Sequence, residues 1–278
     1  PVLTSIHIYP VKSLGGVDVQ AAYVEPWGLR DDRRWLVLNP DGTVLFASKQ
    51  HRMLGITAAP AADGAVSLTG LDGSTLRVEA PADGELAATS LPVLDTVRLA
   101  AREAADWLSY QLEQPVRLAW LDDPRRRTMA AAHGGLLGDH LNLSDEAPLL
   151  LTTHASLRQL NRWIVRTASE KAEEEPAPIL MARFRPNIVV DRADDPFAED
   201  DWNRVRVGDV ELRFAEHCDR CVVPTIDPLM HVAGKEPLRT LARRRQWDHK
   251  TWFGIRMIPS TTGVIRVGDV VAPSGRGP

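Results

Sequence analysis

The chain has 278 residues, 44% of them hydrophobic and 25% charged, with a formal net charge of −4. That is the make-up of an ordinary folded protein, and it excludes a disordered or fibrous chain. There is no basic excess to mark a nucleic-acid binder, and no run of about 18 apolar residues to cross a membrane as a helix. The only cysteines, Cys218 and Cys221, exclude a disulfide framework. The length fits one large domain or two smaller ones. No basic segment followed by a long apolar one opens the chain, so a cytoplasmic location with reduced thiols is expected.

The first hundred residues read as β structure. Residues 3–9 alternate and stop at Pro10, and residues 34–38 form a second strand. Asn39-Pro40-Asp41-Gly42 is a turn, with residues 43–46 expected as the return strand of a hairpin. Short β runs follow at 54–58, 65–68 and 75–78, separated by Asp-Gly turns, so a small barrel or sandwich is expected. Residues 101–112 have helical periodicity with Ala105, Leu108 and Leu112 on one face, and a second helix is expected over 155–165 on Leu157, Leu160 and Ile164. The acidic stretch 169–176 reads as a solvated loop. Strands return at 187–190, 205–207 and 211–214, a short helix begins near Glu236, and β runs close the chain around Trp252 and over 263–267. Residues 270–278 read as a tail. The runs Arg125-Arg126-Arg127 and Arg243-Arg244-Arg245 read as solvated surface, the second at a helix end where cations favour the macrodipole.

The two cysteines admit four readings. A zinc site needs about four N or S ligands, and only His217 and His231 stand near to help. A thioredoxin-like pair opens a helix, whereas Val222-Val223-Pro224 looks extended. Two buried small hydrophobes are the plain alternative, against which stand the polar neighbours His217, Asp219 and Arg220. The fourth reading is a single thiolate that ligates a soft metal, which residue chemistry alone does not separate from a nucleophile.

The segments Cys218-Asp219-Arg220-Cys221, Thr225-Ile226-Asp227-Pro228 and Lys235-Glu236-Pro237-Leu238 together resemble the signature of the MOSC domain family. The resemblance is strongest to the branch that holds the mitochondrial amidoxime-reducing component and its bacterial relatives. Further blocks follow in order: residues 8–13 and 28–37, then Leu143-Ser144-Asp145, 155–157, 183–188 and 263–269. The fold this implies is mixed α+β and β-rich, with an N-terminal MOSC β-barrel domain over 1–120 and a MOSC domain over 121–278.

The resemblance implies a molybdenum cofactor, Mo-molybdopterin, with Cys221 as the metal ligand and Cys218 as a less essential companion. It assigns Lys12, Ser13, Arg33, Arg185 and Asn187 to the phosphate and pterin, and puts Arg220 beside the ligand within reach of either. Fixed cations and hydroxyls suit an anionic phosphate. Asp145 is implied as a carboxylate at the substrate pocket able to pass a proton, with Thr153 and His154 as weaker candidates. The plain alternatives are an ordinary turn at Lys12-Ser13, a solvated charge cluster at Arg33 and a helix cap at Asp145. The implied activity is two-electron reduction of N-hydroxylated bases or amidoximes. Two rivals are a persulfide sulfur carrier and a non-catalytic cofactor carrier or storage module. Two cysteines cannot hold an iron–sulfur cluster, and no GxGxxG loop appears. Electrons are therefore expected from a separate donor protein of the ferredoxin, flavin or cytochrome b5 type.

Overall fold

The computed structural model describes residues 1–193 and 195–276. The chain is β-rich with three α-helices, a mixed α+β architecture, as expected. It folds as two compact units. The N-terminal unit comprises His7–Val19 and Pro26–Pro148; the C-terminal unit comprises Pro1–Ile6, Gln20–Glu25 and the chain from Leu149 onward. Between the compact units the division falls after Pro148, and two N-terminal segments join the C-terminal unit.

In the N-terminal unit, Trp35–Leu38, Arg117–Trp120, Thr96–Leu99 and Leu86–Ala88 form an antiparallel sheet in that order. Thr57–Pro60, Val66–Thr69 and Thr75–Val78 form a three-stranded meander. Leu36, Leu38, Val97 and Leu121 lie in the core. The turn at residues 39–42 forms as its chemistry requires, with Asp41 accepting from the backbone N–H and hydroxyl of Thr43. The return strand does not: only a single bridge, Leu38 to Val44, follows. Helix α1 (Arg102–Leu112) buries Ala104, Leu108, Gln111 and Leu112, so Gln111 shares the face and Ala104 takes the place expected for Ala105.

In the C-terminal unit one sheet runs in the order Val271–Arg276, Trp202–Val207, Val210–Asp219, Lys250–Pro259, Leu149–Thr153, Ile188–Asp191, and then the first residues of the chain. The parallel pair Leu149–Thr153 with Ile188–Asp191 needs a crossover, which α2 (His154–Glu170) supplies. Leu157, Leu160 and Ile164 are buried as their spacing predicts, against Phe184, Phe253 and Leu241 of α3 (Leu238–Arg244). Helix α2 is five residues longer at its C-terminal end than expected and takes in Ser169 and Glu170 of the acidic stretch. The expected tail is a strand, since Val271–Arg276 pairs antiparallel with Trp202–Val207; residues 277 and 278 lie outside the described residues. The strand at Gly208 turns tightly against Asp269. Its φ is 56°, a left-handed conformation that favours glycine, and a Cβ there would lie 2.9 Å from the Asp269 carboxylate, which would have to swing aside.

Candidate functional site

In the N-terminal unit the first expected site residues meet. Lys12 follows the strand Val2–Ile8 by four residues, and its backbone N–H bonds to Trp35 O at 2.8 Å. The side chain is buried, donates to Leu143 O at 2.8 Å and pairs with Asp145. Burial lowers the Lys12 pKa, and Asp145 works in the opposite direction. Arg33 donates to Asp32 at 2.7 Å and lies over the Tyr9 ring at 4.7 Å. Asp32 is wholly buried and also accepts from Tyr9 N at 2.8 Å. The charged stretch 30–34 is thus not a solvated cluster.

Ser13 and Arg33 both have left-handed backbones, with φ of 70° and 47°. Few non-glycine residues adopt this conformation, and such strain persists only where surrounding bonds fix it. At Arg33 those bonds are its N–H to Tyr9 O and Leu143 N–H to its own carbonyl, both 2.8 Å. Asp145 is exposed and caps no helix, because α2 begins only at His154. The Lys12 charge pulls its carboxyl down to about 2. It is therefore ionised at neutral pH, a carboxylate held beside the Lys12 ammonium.

Sequence reading missed Arg127, which is 4% exposed. Its guanidinium donates to the carbonyls of Asn142, Ser144 and Asp145 at 2.5, 2.6 and 3.3 Å, and burial lowers its pKa to about 10. The arginine run is thus not wholly solvated: Arg125 is exposed and bound to Asp123, while Arg127 points inward.

In the C-terminal unit the long strand Val210–Asp219 delivers Cys218, which is buried, and Cys221 beyond its end, which is exposed. The following residues are not extended: Val223–Thr225 is a 3₁₀ turn, sealed by Thr225 Oγ1 donating to Val222 O at 2.7 Å. Arg220 donates to Phe253 O at 2.9 and 2.7 Å and to Phe184 O at 3.1 Å, with its guanidinium 5.2 Å from the Phe184 ring centre. Three of its five N–H groups are thus spent on backbone. Its geometry is that of a strut for the Cys221 segment more than of a group reaching for a ligand. Burial lowers its pKa, while Cys218 and Cys221 act to raise it, so its charge and the two thiols share one field.

The Phe184 carbonyl precedes Arg185, which is also left-handed at φ 57°. Asn187 is buried and exchanges bonds with Leu150: N–H to Leu150 O at 2.9 Å, and Oδ1 from Leu150 N–H at 3.3 Å. This opens the strand Ile188–Asp191. Thr153 caps α2, its hydroxyl accepting from Ser156 N–H.

A second missed residue is Glu199, which is wholly buried. Its Oε2 accepts from Thr153 and Ser156 hydroxyls at 3.0 and 2.8 Å, while Oε1 has no hydrogen-bond partner. Burial pushes its pKa up to about 7. Its neighbour Asp200 is bound to Arg245 at 2.5 Å. In sequence, Glu199-Asp200-Asp201 looks like a solvated acidic run, and no local signal marks one of its members as buried.

The sequence model of the MOSC domain matches residues 138–272, and that of the MOSC N-terminal beta barrel domain matches residues 1–115. The chain is 32% identical over 298 aligned positions to mitochondrial amidoxime-reducing component 1 of Homo sapiens, covering 97% of this chain and 82% of that protein. The chain belongs to the MOSC family. Mitochondrial amidoxime reducing component 2 of Homo sapiens is 31% identical, over 97% of this chain and 82% of that one. The molybdenum cofactor sulfurase of Danio rerio is 29% identical over 98% of this chain but only 34% of its own length. For a MOSC chain, the donor chemistry fits a thiolate-ligated metal group: an exposed thiol at Cys221 lies in the field of a fixed guanidinium. No helix among the described residues is long and apolar enough to cross a membrane.

Proposed function

We propose that this MOSC protein is a molybdenum-cofactor-dependent reductase of N-hydroxylated substrates, amidoximes among them. The observation that carries the reading is the unequal cysteine pair. Cys218 is buried and Cys221 exposed, with the Arg220 strut fixing the backbone between them. In this reading the Cys221 thiolate ligates molybdenum. When bound, the cofactor supplies the two-electron chemistry that removes oxygen from an N–OH group. The chain supplies the rest. Arg220 holds the Cys221 loop through the Phe253 and Phe184 carbonyls. Arg185 and Asn187, at the left-handed corner and the strand start, bind the pterin. Lys12, Ser13 and Arg33 are the residues assigned to the phosphate. Electrons come from a separate donor protein.

The test is protein purified from a host that makes the cofactor, assayed for molybdenum and for amidoxime reduction with an artificial electron donor. Cys221→Ala is expected to lose activity by more than about 100-fold and to lose molybdenum. Cys218→Ala is expected to keep most of both. Full reduction by Cys221→Ala would falsify the proposal. The resemblance to a protein named a cofactor sulfurase keeps a second reading: a labile sulfane sulfur on Cys221, with no molybdenum, would favour a sulfur carrier.

A further inference from the structure

Three cations of the N-terminal unit, all deeply buried, gather around one carboxylate that is not. Lys12 and Arg127 are 5% and 4% exposed, and the Arg33 side chain 11%. Two carboxylates balance them. Asp32 is fixed: it is wholly buried and held by Tyr9 N–H, Arg33 and Asn142. Asp145 is different, since its side chain is 75% exposed where it pairs with Lys12. Its backbone is nonetheless pinned, because Arg127 holds the carbonyls of Asn142, Ser144 and Asp145, and Lys12 holds that of Leu143. The segment can therefore stay in place while the Asp145 side chain rotates into solvent. With Asp145 in place the cluster carries one net positive charge. With its side chain turned out it carries two, which matches a phosphate monoester that is mostly dianionic above its second pKa, near 6.

We propose that Asp145 is a competing anion built into this cluster, that a phosphate monoester enters by displacing its carboxylate from Lys12, and that Arg127, held on backbone carbonyls, adds its charge to the field of the resulting site without contacting the ligand. The proposal rests on the reading above that Lys12 and Arg33 grip a phosphate, and adds how that grip is guarded. Displacement is favourable for two physical reasons. An ion pair with one exposed partner is individually weak. A phosphate brings three acceptor oxygens and more charge to the same donors, where the carboxylate brings one contacting oxygen. The guard has a use: the cluster excludes weakly held monoanions and admits a ligand whose charge is large enough to evict Asp145.

The experiment uses the full chain without cofactor and inorganic phosphate as the probe, titrated calorimetrically at pH 7.5 and low salt. Asp145→Asn, nearly isosteric and at an exposed position, is expected to tighten phosphate binding by about fivefold, roughly what a weak competing ion pair withholds. Asp145→Glu keeps the competing charge and is expected to bind as the unaltered chain does. Lys12→Met is expected to abolish binding. Unchanged or weaker binding by Asp145→Asn overturns the proposal, as does undiminished binding by a folded Lys12→Met. Asp145→Ser repeats the test should the asparagine variant not fold. Cys221→Ala is expected to leave phosphate binding alone. Loss of the reductase reading with this pattern intact breaks that reading only, and the reverse outcome breaks only this one.

Discussion

Two carboxylates, one in each unit, are shifted in opposite directions. Asp145 lies at the surface, yet its pKa is drawn down to about 2, chiefly by the Lys12 charge. Glu199 is fully enclosed and its pKa is driven up to about 7 by burial, although two hydroxyls donate to it. Hydrogen-bond count does not explain this order, since Glu199 accepts two side-chain bonds and Asp145 one. What separates them is the sign of the nearest charge. Asp145 sits among Lys12, Arg33 and Arg127, whereas the charged neighbour that acts on Glu199 is Asp200, which raises it further. Neutral donors do not replace a cation when the group leaves water.

The largest effect expected from this contrast is in the pH dependence of stability. The Glu199 pKa is raised from 4.5 to about 7, so the folded state keeps a proton that the unfolded chain releases between those values. Its contribution is fully present below pH 4.5 and is lost as pH rises through 7, by about 3 kcal/mol in all. Urea midpoints should therefore fall between pH 5 and pH 8. Glu199→Gln, which mimics the protonated form, should flatten that limb. Equal slopes in the two proteins would mean that Glu199 is not titrating in this window, and the contrast with Asp145 would collapse.

A middle-sized effect is expected at Arg127. Arg127→Lys replaces a planar fork that serves three carbonyls with a single ammonium, leaving acceptors unpaired in a buried place. The expected cost is about 2 kcal/mol in chemical denaturation. Arg125→Lys, at an exposed position two residues earlier, should leave the unfolding midpoint almost unchanged. Equal costs for both would show that the buried fork adds nothing to the cluster around Asp145.

Arg125 and Arg127 also show what the sequence can and cannot carry. Strands such as Thr75–Val78 and the buried face of α2 were legible because alternation and 3.6-residue spacing report burial directly. The cysteines, Lys12, Arg33 and Asn187 were singled out through blocks of residues that resemble the MOSC family, and the structure gives Lys12, Arg33 and Asn187 fixed partners. Arg127 and Glu199 were not. Each lies in a run of like charges, and which member turns inward depends on partners distant in sequence: the carbonyls of residues 142–145 for Arg127, the hydroxyls of Thr153 and Ser156 for Glu199. The extended reading of Val222-Val223-Pro224 failed for a related reason. A Thr225 hydroxyl bonded to Val222 O closes a 3₁₀ turn that β-propensity alone opposes.

The smallest effect is expected at Asp145 itself. Its lowered pKa means that its contribution is present above pH 3.8 and is lost as pH falls through about 2. The side chain is mostly exposed, so solvent screens the pair, and Asp145→Asn should cost under about 1 kcal/mol at pH 7. The amide oxygen still accepts from Lys12, and the Leu143 carbonyl still holds the ammonium. What the variant removes is the charge that offsets burial of Lys12, whose pKa should fall further. A loss of 3 kcal/mol or more would place Asp145 with the buried, obligatory ion pairs. It would then be a fixture of the fold, as Asp32 is, and no longer an anion that a phosphate can displace. A small loss together with tighter phosphate binding would require the opposite: a carboxylate kept at the surface because it has to leave.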